Sequence, residues 1–126
     1  MAGVNELFER LIKISLSEKE VNSDKWDGLS IIFNVDASGA EEVKGYLFEE
    51  EAWSGFLPDS NLPDLVLTLR SLREALKGDA RDGWASGLFK IDLREMDVDL
   101  EVDYDNPQRW AMTPDNMDTM IEQIRP

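Results

Sequence analysis

The chain has 126 residues, 27 acidic against 13 basic side chains for a formal charge of −14, and a hydrophobic content of 42%. That size and apolar content suit a single domain with a real core, while the charge opposes binding to nucleic acid or anionic lipid and favours a cationic protein partner. Cysteine and histidine are both absent, which removes disulfides, thiolate chemistry, the usual neutral-pH base and the commonest metal ligand.

Residues 1–6 lack the basic start and apolar run of a leader, and no later apolar stretch approaches membrane-spanning length. The expectation is a cytoplasmic protein with no membrane attachment. Val4, Leu7, Phe8, Leu11 and Ile12 fall at helical spacing, with Asn5 as a cap and Glu6, Glu9, Arg10 and Lys13 on the other face. The pattern fades into a loop at residues 21–24. Trp26 then opens a β-rich run in which Leu29, Ile31, Phe33 and Val35 share a face. A turn at residues 36–39 leads to a second strand over residues 43–48, and so short a connection predicts an antiparallel hairpin.

Residues 52–61 read as a loop with large apolar side chains, Trp53, Phe56 and Leu57. Trp53 and Phe56 either plug the edge of the core or stand exposed as binding anchors, since aromatic residues dominate both cores and interface hot spots. Leu62, Leu65, Val66, Leu69, Leu72 and Leu76 form the clearest helical stripe, with Pro63 in the first turn and Gly78 past the end. A third strand follows over residues 84–93, and Arg94, Glu95 and Met96 make a tight turn.

The next stretch alternates without a miss: Asp97, Val98, Asp99, Leu100, Glu101, Val102, Asp103, Tyr104, Asp105. In a strand this places Val98, Leu100, Val102 and Tyr104 toward a core and five carboxylates on the opposite side, about 6.6 Å apart. Pro107 ends the strand. A last helix is expected to start at Thr113, Pro114 and Asp115, with Met117, Met120, Ile121 and Ile124 as its apolar face. The predicted fold is α+β, a single domain in the order α-β-β-α-β-β-α, with a four-stranded antiparallel sheet and the helices packed mainly on one face.

Carboxylates at this density invite a test for catalysis or metal binding. Exposed acids on a strand keep ordinary proton affinities, whereas acid catalysis at neutral pH needs burial or a close like charge. A straight strand also spreads its carboxylates instead of converging them on a cation, and Val102 stands where a calcium loop starting at Asp97 requires glycine. No catalytic residue, metal or cofactor is therefore expected. Seven acids and one base lie between Asp92 and Asn106, so the negative field is concentrated. It serves either recognition or only solubility, and the second reading makes the chain a generic interaction or structural module.

One resemblance bears on that choice. Residues 5–10 (Asn-Glu-Leu-Phe-Glu-Arg) in the first helix, Trp26 entering a strand, the leucine-rich helix over residues 62–76, Trp84 followed by Leu88, Phe89, Lys90 and Ile91, and the closing Val102, Asp103, Tyr104 and Asp105 together resemble the YezG-like family. These bacterial immunity proteins are encoded beside polymorphic toxins and neutralise a nuclease toxin domain in the producing cell. The resemblance implies a non-enzymatic antitoxin whose partner is a cationic nuclease toxin domain. Nuclease clefts tend to be basic because they bind phosphate, and an acidic surface can occupy or flank one. Asp97, Asp99, Glu101, Asp103 and Asp105 are then the recognition row, with Trp53, Phe56, Tyr104 and Trp110 as candidate buried anchors.

Overall fold

The computed structural model describes residues 3–17, 26–56, 62–76 and 83–126. The elements are α1 (Val4–Ser17), β1 (Gly28–Val35), β2 (Glu41–Glu49), β3 (Ala52–Phe56), α2 (Leu62–Leu76), β4 (Ser86–Asp92), β5 (Asp97–Asp103) and α3 (Met117–Ile124). The fold is α+β, and the sheet is antiparallel in the order β3-β2-β1-β4-β5. The expected loop at residues 21–24 lies outside the described residues, as do Gly78 and residues 57–61.

β1 occupies the centre because it is the strand able to be buried on both sides. Its partners run from Gly28 opposite Phe48 to Val35 opposite Glu41 on one edge, and from Gly28 opposite Asp92 to Asn34 opposite Ser86 on the other. All eight of its residues are buried. Leu29, Ile31, Phe33 and Val35 join Leu7 and Leu11 of α1 and Leu65, Leu69 and Leu72 of α2 in the larger core, as their alternation predicts. Val98, Leu100, Val102 and Tyr104 also pack against this core, so the apolar half of the acidic strand is placed as expected.

The strand number and element order of the predicted fold are corrected. Among the described residues the sheet has five strands, not four, because residues 52–56 form β3 rather than a loop. Only Glu50 and Glu51 separate β2 from β3, with Glu49 opposite Ala52. Glu50 adopts φ +52°, the left-handed geometry that lets so short a connection reverse. Two of the three helices, α1 and α2, share one face, as expected, and α3 takes the other. Met120, Ile121 and Ile124 of α3, together with Trp110, cover Ile32, Phe48 and Leu88 on the opposite face. Ile32 beside Ile31 breaks the strict alternation of β1, and burying it requires a second cover.

Boundaries shift for local reasons. Asn116, not Thr113, precedes α3. Thr113 and Asn116 instead bond to each other, Thr113 N–H donating to Asn116 Oδ1 at 2.7 Å and Asn116 N–H to Thr113 Oγ1 at 3.3 Å, which closes a turn ahead of the helix. The chain end is strapped down: Ser30 donates its hydroxyl to the Ile124 carbonyl, and the Arg125 guanidinium lies 5.1 Å from the Phe48 ring centre. Among the described residues, no helix is long and apolar enough to cross a membrane.

Candidate functional site

The acidic strand is a sheet edge. Among the described residues β5 pairs only with β4, from Ser86 opposite Asp103 to Asp92 opposite Asp97. Directly opposed residues share a face, so Asp97, Asp99, Glu101 and Asp103 lie on the α3 side of the sheet, outboard of Asp92, Lys90, Leu88 and Ser86. Asp97, Asp99 and Glu101 are exposed. Exposed carboxylates at an edge repel another strand that approaches for pairing, so the row protects the edge as well as charging it.

The row is shorter than five and is not uniformly free. Asp103 ends the strand: its Oδ1 accepts the backbone N–H of Asn106 at 2.8 Å and of Asp105 at 2.9 Å. Those two bonds, foremost that from Asn106, hold its carboxyl below the usual carboxylate range, and Arg109 at 3.8 Å adds to the effect. Asp103 therefore shapes the turn. Asp105 lies beyond the strand and lines a different cleft of about 430 Å³ with Asp36, Arg73 and Tyr104. Glu101 has the Lys90 ammonium 3.6 Å away. Asp97 and Asp99 open onto a shallow cleft of about 190 Å³ bounded by Lys90, Asp92, Arg125 and Pro126.

The aromatic candidates separate. Trp110 is 5% exposed, within the core beneath α3. This corrects its assignment as an anchor: its position after the Pro107 turn lets the indole fold under the sheet. Trp53 is 36% exposed on β3, with its ring 6.1 Å from that of Tyr46. It lies on the same face as the acids but at the opposite rim, four strand spacings or roughly 19 Å away. Phe56 closes β3 opposite Gly45, and its side chain lies outside the described residues. Tyr104 packs on the larger core and donates its hydroxyl to the Leu76 carbonyl at 3.4 Å. Acids and Trp53 thus do not form one compact patch.

A buried polar line escaped the sequence reading. Ser30, Asn34 and Ser86 lie on the α3 side of β1 and β4 at 0, 4 and 0% exposure. Ser86 donates to Asn34 Oδ1, and Asn34 Nδ2 donates to Glu42 Oε1 at 3.2 Å. The only signal was polar residues interrupting an apolar strand. An amide oxygen is not a base, so Ser86 is not activated as a nucleophile by this contact. Among the described residues, no group of three or more carboxylates is arranged to hold a metal ion.

No protein-family model matches the sequence, and no curated protein matches it. The likeness to YezG-like immunity proteins therefore rests on the residues that carry it.

Proposed function

We infer that the chain is a non-enzymatic immunity protein, acting in the cytoplasm, that binds and neutralises a cognate cationic toxin domain of nuclease type. The observation that carries this reading is the edge position of β5 with Asp97, Asp99 and Glu101 exposed on one face. A negative edge on a chain of charge −14 steers a basic domain at long range and speeds encounter, which is what capture of a toxin before cleavage requires. The shallow cleft against Arg125 and Pro126 gives the row relief for a basic side chain to enter.

One observation favours the alternative, a structural or general interaction module whose acids serve solubility. Lys90 lies near Glu101 and Arg109 near Asp103, so part of the row is countered inside the chain. The deciding experiment pairs the chain with a cationic nuclease toxin domain, taken from the neighbouring reading frame where that frame encodes one. Asp97→Asn, Asp99→Asn and Glu101→Gln are combined, leaving Asp103 to hold its turn. The triple variant is expected to associate at least about tenfold more slowly at low ionic strength and to lose most of its salt dependence. Unchanged association and protection would remove the acidic-edge reading in favour of the solubility module.

A further inference from the structure

The two edges of the sheet differ in kind. β5 is guarded by acids, whereas β3 reads Ala52, Trp53, Ser54, Gly55, Phe56, without a charge, a proline or a bulge. Among the described residues, no strand pairs with the outer edge of β3. Natural sheets rarely leave a neutral edge bare, because its N–H and C=O groups are a template for another strand. We propose that β3 pairs antiparallel with β3 of a second copy of this chain, about a two-fold axis at Ser54, to make one ten-stranded sheet across a dimer.

The register carries the argument. Glu49 and Ala52 close a two-residue turn and so form a hydrogen-bonded pair. Alternation then turns Ser54 and Phe56 inward to β2 and leaves the N–H and C=O groups of Trp53 and Gly55 pointing outward. With the axis at Ser54, Trp53 faces the second copy's Gly55, and Gly55 faces its Trp53. Each pair exchanges two hydrogen bonds, so the outward groups of both residues are used at once. The Gly55 carbonyl already accepts the Ser54 hydroxyl at 3.2 Å and retains a second lone pair.

Side chains fit the same axis. Among the described residues a Cβ built at Gly55 meets only the Gly45 carbonyl oxygen, at 4.0 Å, and they leave the face of Gly55 open. An indole from across the edge can lie over that bare backbone, and the two Trp53 rings come within diagonal reach of each other. They extend the existing Tyr46–Trp53 contact into a row of four aromatic rings. Charge selects this edge: about an axis at Ser54, Glu50 and Glu51 of one copy do not stand opposite those of the other, whereas a β5 pairing would bring acids together. The interface is small and the copies repel, so the dimer is weak and strengthens with salt, opposite to the capture of a cationic partner.

The test uses the absence of native cysteine. Ser54→Cys puts two thiols opposite each other at a non-hydrogen-bonded pair, where Cβ atoms approach within disulfide reach. Leu67→Cys, exposed on α2, is the reference. In about 0.5 M salt, Ser54→Cys is expected to form an intermolecular disulfide at least about tenfold faster than Leu67→Cys. Adding Gly55→Val, whose Cβ has room on the monomer, is expected to abolish the difference while circular dichroism stays unchanged. Equal rates for the two cysteines overturn the proposal, including the case in which a foreign strand is the true occupant of β3. A Ser54→Cys rate indifferent to Gly55→Val, or to Gly55→Ala if the valine disturbs the fold, overturns it as well.

Discussion

A Cβ added at Gly87 would stand 2.7 Å from Nε1 of Trp84, so the fully buried indole rests on the bare backbone of β4. The ring meets Phe89 edge-on, centroids 5.9 Å apart and planes at 64°, and the packing leaves Nε1 without a hydrogen-bond partner among the described residues. Gly87→Ala is expected to cost about 1–3 kcal/mol by overpacking. Urea unfolding followed by tryptophan fluorescence checks this, with a lower midpoint and an unchanged slope. Wild-type stability in Gly87→Ala would mean that the contact is looser than its geometry.

The two tryptophans expected as anchors now predict opposite results. Trp110→Ala removes a core side chain beneath α3 and should cost about 3–5 kcal/mol. Trp53→Ala loses its contact with Tyr46 and should cost about 1 kcal/mol. Chemical denaturation of both variants reads the difference directly, and equal losses would contradict the burial of Trp110.

Arg125 secures the β2–β3 turn from the far end of the chain. It donates to the Glu50 carbonyl and, at 3.2 Å, to the Glu51 carbonyl, while Glu122 holds its guanidinium at 3.0 Å. Arg125→Met keeps much of the stem over Phe48 and removes the donors. The expected loss is about 1 kcal/mol, with faster hydrogen exchange confined to amides around the turn. Exchange spread evenly over the sheet would show that Arg125 does not act there.

Acid dependence follows from Asp103. Its folded-state proton affinity is depressed, so its stabilisation is present above the ordinary value of 3.8 and is lost as pH falls through the folded value. Asp36, lowered chiefly by the Ser38 hydroxyl, and Glu41, lowered chiefly by Arg70, act in the same direction. Asp103→Asn should therefore lower the melting temperature at neutral pH, and its deficit should shrink as pH drops below 3.8. Paired thermal scans test this, and a deficit independent of pH assigns the effect to something other than the charge.

Much of the layout was legible because period-2 and period-3.6 patterns record which side of an element is buried. Leu65, Leu69, Leu72 and Leu76 of the α2 stripe, the face of Leu29, Ile31, Phe33 and Val35, and the apolar half of the acidic strand pack as their spacing indicates, while Leu62 at the start of the stripe is exposed. β3 was missed because five residues with a glycine and no alternation carry little periodic signal, and a strand is defined by its partner as much as by its own residues. The second face was missed because Ile32 looks like surplus apolar content until α3 and Trp110 arrive from about eighty residues downstream to cover it.

The acidic row divides along the same line. Alternation alone was enough to put Val98, Leu100, Val102 and Tyr104 against the core and to place the carboxylates away from it, since side-chain direction in a strand is a local property of the backbone. Strand order is non-local. Only the tertiary packing made β5 an edge, turned Asp103 into the bond acceptor of its own turn, took Asp105 to another cleft, buried Trp110 and moved Trp53 to the opposite rim. Each of those outcomes depends on which segments meet in space, and the free energy that selects among the meetings is burial shared by residues far apart in the chain.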